Sequence, residues 1–470
     1  MRDEELCFMP ATEVAEAIRS RKLSPVEVTT AILTRIEQVN PKVNAYCTIV
    51  AEAALADTKQ AESAVMQGRP LGPLHGVPIS FKDLTPTAGI RTTFGSKIFE
   101  HHVPPEDAVV VERARRAGAI ILGKTNTPEF GCKGVTDNRI FGYTRNPWNL
   151  DRIAGGSSGG AAAALAAGLG PLAEGSDLAG SIRVPASCCG VVGLKPSIGR
   201  IPRYPAVNGW TTFSVLGPMA RTVGDAALLL SVLAGPDDRD PQSLPATGED
   251  FARAAEGEIR GLRVAWSPDL GYATVDPEVR RLCEAAAKTF SGLGATVEEA
   301  HPGFDNPEAL FLDLSAGLRV AAYSSYLAEW REQMDPFLVN RIVRGQNLTA
   351  VDYEKATHRR TALWQVVRKF FERYDLLLTP TIAAPPFPIG SNVPPDIAGK
   401  PLDSPLAWMA FTYPFSLTGQ PAISVPCGWT AEGLPVGLQI VGRRFADATV
   451  LRAAAAFETA SPRAHRRPNL

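Results

Sequence analysis

Residues 154–168 read AGGSSGGAAAALAAG. Four glycines bracket two adjacent serines, and a run of alanines follows as a short helix over about 158–168. The glycines give the backbone unusual freedom, and the alanines let the helix pack close against its neighbours. The pentapeptide Gly156–Gly160 formally matches G-x-S-x-G and puts Ser158 at the nucleophile position. That motif needs an apolar strand before the turn, and NPWNLDRIAGG is not one. It also needs an acid and a histidine downstream, and nothing around His301, His358 or His465 resembles a catalytic loop.

Strand and helix signals alternate along the chain. Ser24, Pro25 and Glu27 form a capping box with proline at the first helical position, ahead of apolar Val28, Ile32, Ile36 and Val39. HGVPISFKDL (75–84) predicts a short apolar strand carrying Lys82. DAVVVERARRAGAIILGKTN (107–126) reads as a helix, a stop at Gly118 and a strand over 119–123. GPLAEGSDLAGS (170–181) is a strand running into a glycine-rich turn. GLRVAWSPDL opens a second strand–helix set, with a helix near 277–293, and 305–375 is mainly helical. DLLLTPT (375–381) and PAISVPCGW (421–429) are strands, and GLPVGLQIVG pairs with the second of them. The proline-rich 381–405 reads as an ordered surface loop. This alternation predicts an α/β architecture with parallel strands, and the absence of a clear linker favours one domain over residues 1–470.

Composition removes several function classes. With 45% hydrophobic and 21% charged residues, the chain buries a sizeable core. Its net charge of −1 and lack of a long basic stretch argue against a nucleic-acid partner. The seven cysteines are odd in number and form no CxxC, which argues against a zinc site or a redox pair and for free thiols in a reducing compartment. None of the six histidines sits in HExxH, and His101–His102 reads as a surface pair, so no metal is expected. No G-x-x-x-x-G-K-[ST] occurs, and GGSSGG lacks the strand and acidic residue of a dinucleotide site, so no cofactor is expected. The acidic N-terminus lacks a signal-peptide core, and no apolar run reaches the ~18 residues of a membrane span, so a cytoplasmic protein without a membrane partner is expected. No serine stands three residues before a lysine, which excludes the S-x-x-K arrangement. Lys82, at the end of its apolar strand, is either a snorkelling residue or a buried base.

The span GGSSGGAAAALAAGLGPLAEGSDLAGSIRVPASCCGVVGLKP (155–196) closely resembles the amidase signature family. So do GPLHGVPISFKDL, ARRAGAIILGKTNTPEF, TRNPWN, GPMARTVGDAALLLSVLAG and GQPAISVPCGWTAEGLPVGLQIVGRRFAD, which together cover most of the chain. The resemblance implies a single large α/β domain whose wide, twisted, mixed sheet is surrounded by helices. Its catalytic core would lie at about 70–230, with C-terminal sheet strands at about 420–445. It implies a serine–cis-serine–lysine triad. Lys82 is the base, Ser157 is the bridging serine preceded by a cis peptide bond, and Ser181 is the nucleophile. Burial would disfavour the charged lysine and lower its pKa, since a protonated amine cannot act as a base. The backbone N–H groups of Leu178, Ala179, Gly180 and Ser181 would form the oxyanion hole. Alanine stands at 179 where the family commonly has glycine, and it still offers its N–H. Asp177 and Arg183 flank that turn as bracing residues, with contact to a polar substrate as the alternative, and Ser158 supports the site with them, a helix cap being its other candidate role.

The expected activity is hydrolysis of an amide through a Ser181 acyl-enzyme. The same machinery would also serve an aryl carbamate, anilide or ester. The tRNA-dependent amidotransferase members of the family hold glutamine with an acidic residue two places before an F-T dipeptide, and here Met409 stands there. Their SLDQ segment is also missing, so membership of an amidotransferase complex is the less favoured reading. Trp210, Phe213, Trp408, Met409 and Tyr413 are candidate pocket residues, with core packing as the alternative role. A small-molecule amide or carbamate is the expected partner, and a homodimer is a candidate assembly.

Overall fold

The computed structural model describes residues 3–462 and 466–470, so His465 lies outside the described residues. The capping box forms as expected: Ser24 Oγ accepts the Val26 N–H at 2.9 Å and Glu27 Oε2 accepts the Ser24 N–H at 3.0 Å, starting a helix over Pro25–Val43.

Eleven strands build one sheet. In chain order they are β1 (Tyr46–Ile49), β2 (Pro78–Lys82), β3 (Ile120–Thr125), β4 (Leu172–Asp177), β5 (Val192–Lys195) and β6 (Val215–Ala220). Then come β7 (Arg263–Trp266), β8 (Thr296–Glu299), β9 (Leu376–Pro380), β10 (Ala422–Trp429) and β11 (Pro435–Gly442). Across the sheet the order is β1-β3-β2-β4-β6-β5-β10-β11-β9-β7-β8. Strands β3, β2 and β4 run parallel, as do β9, β7 and β8, whereas β6, β5, β10 and β11 pair antiparallel. The sheet is therefore mixed, and helices cover it. Every residue of β2 and β3 is buried, as continuous apolar strands beneath helices must be.

The sequence signals for β2, β3, β4, β7, β9, β10 and β11 correspond to strands, and β10 pairs with β11 in antiparallel register. Four strands, β1, β5, β6 and β8, carried no usable signal. In β6, Gly217 and Pro218 read as a turn, yet the strand is central. It tolerates Pro218 because pairing with β5 involves only Met219 and Ala220. NPWNLDRI does contain a strand, Asn149–Ile153, but it pairs with Arg145–Asn146 in a small hairpin and bridges to Pro388, outside the main sheet. The nucleophile-elbow geometry is absent for that reason. The 381–405 segment is only partly a surface loop. Residues 381–387 are mostly buried, and the Phe387 ring meets Trp408 edge-on at 5.2 Å.

The alanine run forms the helix Gly159–Ala166, and all eight residues are buried. A helix apolar on every face has to lie inside the molecule. Its first turn sits against the backbone after β3. A Cβ on Gly160 would stand 2.3 Å from Asn126 N and 2.6 Å from Ala45 O. Alanine normally stabilises a helix interior by about 1 kcal/mol over glycine. At this position Gly160→Ala should instead destabilise by about 1–3 kcal/mol through overpacking, read as a lowered thermal midpoint.

Candidate active site

Four side chains meet where β2 ends, where β4 ends, and where the glycine-rich segment turns into its helix. Lys82 closes β2 and is fully buried. Its Nζ lies 2.6 Å from Ser157 Oγ, 2.8 Å from Ser158 Oγ and 3.0 Å from Ser176 Oγ. The Gly156–Ser157 peptide bond is cis, as the resemblance implies. Burial pulls the Lys82 pKa down to about 7, although the nearby Glu174 and Asp177 carboxylates oppose that fall. The amine is therefore poised between its charged and neutral forms near neutral pH.

Glu174 lies directly beneath. Its Oε2 accepts the Lys82 backbone N–H at 3.2 Å and the Thr85 hydroxyl at 2.9 Å, and burial raises its pKa. A second buried lysine, Lys124, donates to Thr85 O and to Thr87 Oγ1, and burial brings its pKa to about 8.

Ser181 follows β4 across the turn Leu178–Gly180. Its carbonyl accepts the Ser158 N–H at 3.0 Å, which ties the two loops together. Asp177 and Arg183 hold this turn from inside. They form a fully buried bidentate pair, with Nη2–Oδ1 at 2.9 Å and Nε–Oδ2 at 3.0 Å. Asp177 also accepts the Gly180 N–H at 2.8 Å and the Ile182 N–H at 3.2 Å. Arg183 donates onward to Thr412 O, Gln439 Oε1 and Ser416 Oγ. Burial would raise the Asp177 pKa, but the Arg183 guanidinium outweighs it and keeps the carboxyl below its usual range.

Two expectations for this region need correcting. The Gly180 N–H points inward to Asp177, so it is not free to face a substrate oxygen. Ser158 is not a side-chain cap of its helix, because its hydroxyl turns to Lys82 and Ser176. Gly180 is required for another reason. Its φ is +125°, and a Cβ there would meet Thr412 Oγ1 at 2.4 Å. Ala179 has no positive φ, and its carbonyl accepts the Thr412 hydroxyl at 2.5 Å.

Ser157, Ser176, Ser181, Leu178 and Ala179 all line one cavity of about 890 Å³. That volume suits a drug-sized ligand. Trp408 and Met409 contribute to its wall, but Trp210, Phe213 and Tyr413 do not. Trp210 is 75% exposed on a loop. Phe213 is buried beneath the Arg360 guanidinium. Tyr413 points into the core, stacked on Phe311 and donating its hydroxyl to Asn306 Oδ1 at 2.8 Å.

Sequence reasoning missed Ser176 and Glu174, although both lie in the quoted GPLAEGSD. The period-2 alternation of β4 puts 174 and 176 on one face, and that signal was available. It also missed Phe130, Tyr323, Arg319 and Arg341 on the cavity wall. Their only signal is tertiary. Among the described residues no cluster of histidine, cysteine, aspartate or glutamate could hold a metal, and no helix is long and apolar enough to cross a membrane.

The arrangement of a buried lysine, a serine after a cis bond and a second serine beyond a braced turn is that of an amidase signature enzyme. The chain matches the Amidase family over residues 27–451 and belongs to it. It is 44% identical to an acylamidase from Rhodococcus erythropolis, covering 100% of this chain and 98% of that one. It is also 40% identical to a glutamyl-tRNA(Gln) amidotransferase component from Moorella thermoacetica, covering 99% of each. Its structure matches that of a bacterial aryl acylamidase of the amidase signature family with a TM-score of 0.92 and 35% identity, over 97% of each chain. The protein is an amide hydrolase that acts on C–N bonds.

Removing one partner of a buried ion pair strands the other charge. Arg183→Met should therefore lower stability by about 3–5 kcal/mol, measured by denaturant unfolding.

Proposed function

We propose that the chain hydrolyses a small-molecule amide with an apolar or aryl group, through an acyl-enzyme on Ser181. The observation that carries this reading is the fully buried Lys82 Nζ at 2.6 Å from Ser157 Oγ, with Ser157 on the wall of the cavity that Ser181 also lines. Neutral Lys82 accepts the Ser157 proton while Ser157 takes the proton of Ser181, and Ser181 Oγ attacks the carbonyl carbon. The N–H groups of Leu178, Ala179 and Ser181 receive the oxyanion. Gly180 serves instead to let the turn approach Thr412. Ser157 returns a proton to the leaving amine, and water then releases the acid by the same relay. Lys82 holds no metal or cofactor role in this scheme.

Trp408 and Met409 support an apolar substrate, as do the aryl acylamidase and acylamidase likenesses. The same relay serves an aryl carbamate or ester, because the reacting carbonyl is alike in all three. A panel of p-nitroacetanilide, a benzamide and a phenyl carbamate ranks them. The likeness to the amidotransferase component supports a second reading, in which the chain works within a complex. Turnover by the purified chain alone favours the first reading, and an inactive chain that co-purifies with partners favours the second. Seven free cysteines support a reducing, cytoplasmic location.

Ser181→Ala should lose at least ~10³-fold in kcat while its thermal midpoint holds. Substantial residual turnover would remove Ser181 from the role. The pH profile tests the base. Lys82 is active when deprotonated, so kcat/KM should rise with pH through about 7 and level off above it. A flat profile across that range would exclude a lysine base.

A further inference from the structure

Hydrolysis of a neutral amide leaves part of the cavity wall without a task. The helices Glu308–Tyr323 and Pro336–Gly345 pack together and contribute Arg319 and Arg341 to that wall. Arg319 Nη1 donates to Ser315 O at 3.0 Å within its own helix. The Arg341 guanidinium lies 4.9 Å from the centre of the Phe337 ring. Among the described residues neither guanidinium makes an ion pair.

The nearby carboxylates are engaged elsewhere. Asp137 and Asp335 are held by Lys133 at 2.9 and 2.7 Å. Glu129 accepts the Ser96 hydroxyl and the Asp335 N–H. Glu308 accepts the Ser404 hydroxyl and its charge reaches Arg341, but among the described residues the two form no ion pair. Around the two arginines the wall is apolar and aromatic, with Leu318, Leu338 and the stacked pair Phe130–Tyr323, whose centroids are 4.3 Å apart. Burial lowers the pKa of both arginines, to about 9 at Arg341, where the like charge of Arg319 adds to the effect. Two cations in an apolar wall with no carboxylate in ion-pair contact are unfavourable unless an anion completes them. A planar guanidinium pair matches a carboxylate in both geometry and charge.

We propose that Arg319 and Arg341 form an anion subsite that binds a carboxylate carried by the amide substrate away from its scissile carbonyl. The substrate class is thus narrowed to carboxylate-bearing amides, such as monoanilides of dicarboxylic acids. This proposal rests on the reading of the cavity as the amidase site.

The test compares monoanilides of straight-chain diacids of four to ten carbons with the neutral anilides of the matching monoacids, following aniline release at low salt. At one chain length the anionic substrate should exceed its neutral counterpart at least tenfold in kcat/KM. Arg319→Gln and Arg341→Gln should each reduce that ratio at least tenfold, mainly through KM. Arg319→Lys and Arg341→Lys, which keep the charge, should retain part of the preference. Ratios near one at every length would overturn the proposal, as would variants that lower both substrate types in equal proportion.

Calorimetric titration of the same pairs into Ser181→Ala decides the matter independently of turnover. Tighter, salt-sensitive binding of the anionic member, weakened when either arginine is also replaced by glutamine, supports the subsite even if no anilide is hydrolysed. Equal binding of the two members overturns it. Neutral anilides cleaved in a Ser181-dependent way without any anionic preference would leave the amidase reading standing and remove only the subsite.

Discussion

The desolvation of one amine sets the terms for the rest of the molecule. Lys82 sits at the end of an entirely buried strand, and its ammonium form has no water to stabilise it. The three serine hydroxyls around Nζ replace that water with fixed dipoles. They can satisfy either protonation state, because a hydroxyl both donates and accepts. Glu174 and Asp177 oppose the burial effect from below, so the amine settles near neutrality instead of far beneath it. A base of that kind needs a large, water-excluding scaffold, and the eleven-stranded sheet with its helical cover supplies one.

The second constraint is the Asp177–Arg183 pair. Both side chains are fully buried, and their hydrogen bonds run to the backbone of the Ser181 turn and to residues 412, 416 and 439 near the C-terminal strands. The pair thereby fixes the position of a turn near residue 180 relative to chain more than 200 positions later. Its charge is cancelled bidentately and its remaining lone pairs are used, which is the condition for burying ions without a large penalty. The turn keeps its shape because Gly180 has no side chain to strike Thr412.

Much of this was legible in the chain itself. The capping box at Ser24, the strand ending at Lys82, the helix stop at Gly118 and the late β10–β11 hairpin all follow from local rules of capping, alternation and glycine placement. Strand β6 was not legible, since Gly217 and Pro218 imitate a turn and only the one-sided pairing beside them permits a strand. Assigning Gly180 to the oxyanion hole failed because the direction of an N–H depends on the Asp177 carboxylate, not on residue type. The aromatic residues 210, 213 and 413 failed as pocket residues for a similar reason. Hydrophobicity marks them as candidates for burial or contact, while the face each presents is set by its neighbours.

By itself the sequence determined the class of fold, the family and the three residues that stand at the motif positions 82, 157 and 181. These depend on spacing and residue type within short segments, which the chain carries directly. Only the tertiary structure decided how far Lys82 is stripped of water, which turn N–H groups face inward, and which walls close the cavity. Those properties arise where segments far apart in the chain meet: Glu174 under Lys82, Thr412 against Gly180, and two helices from 308–345 that bring Arg319 and Arg341 to the wall shared with Ser181. Desolvation and hydrogen-bond direction belong to such meetings of distant segments, and no local pattern encodes them.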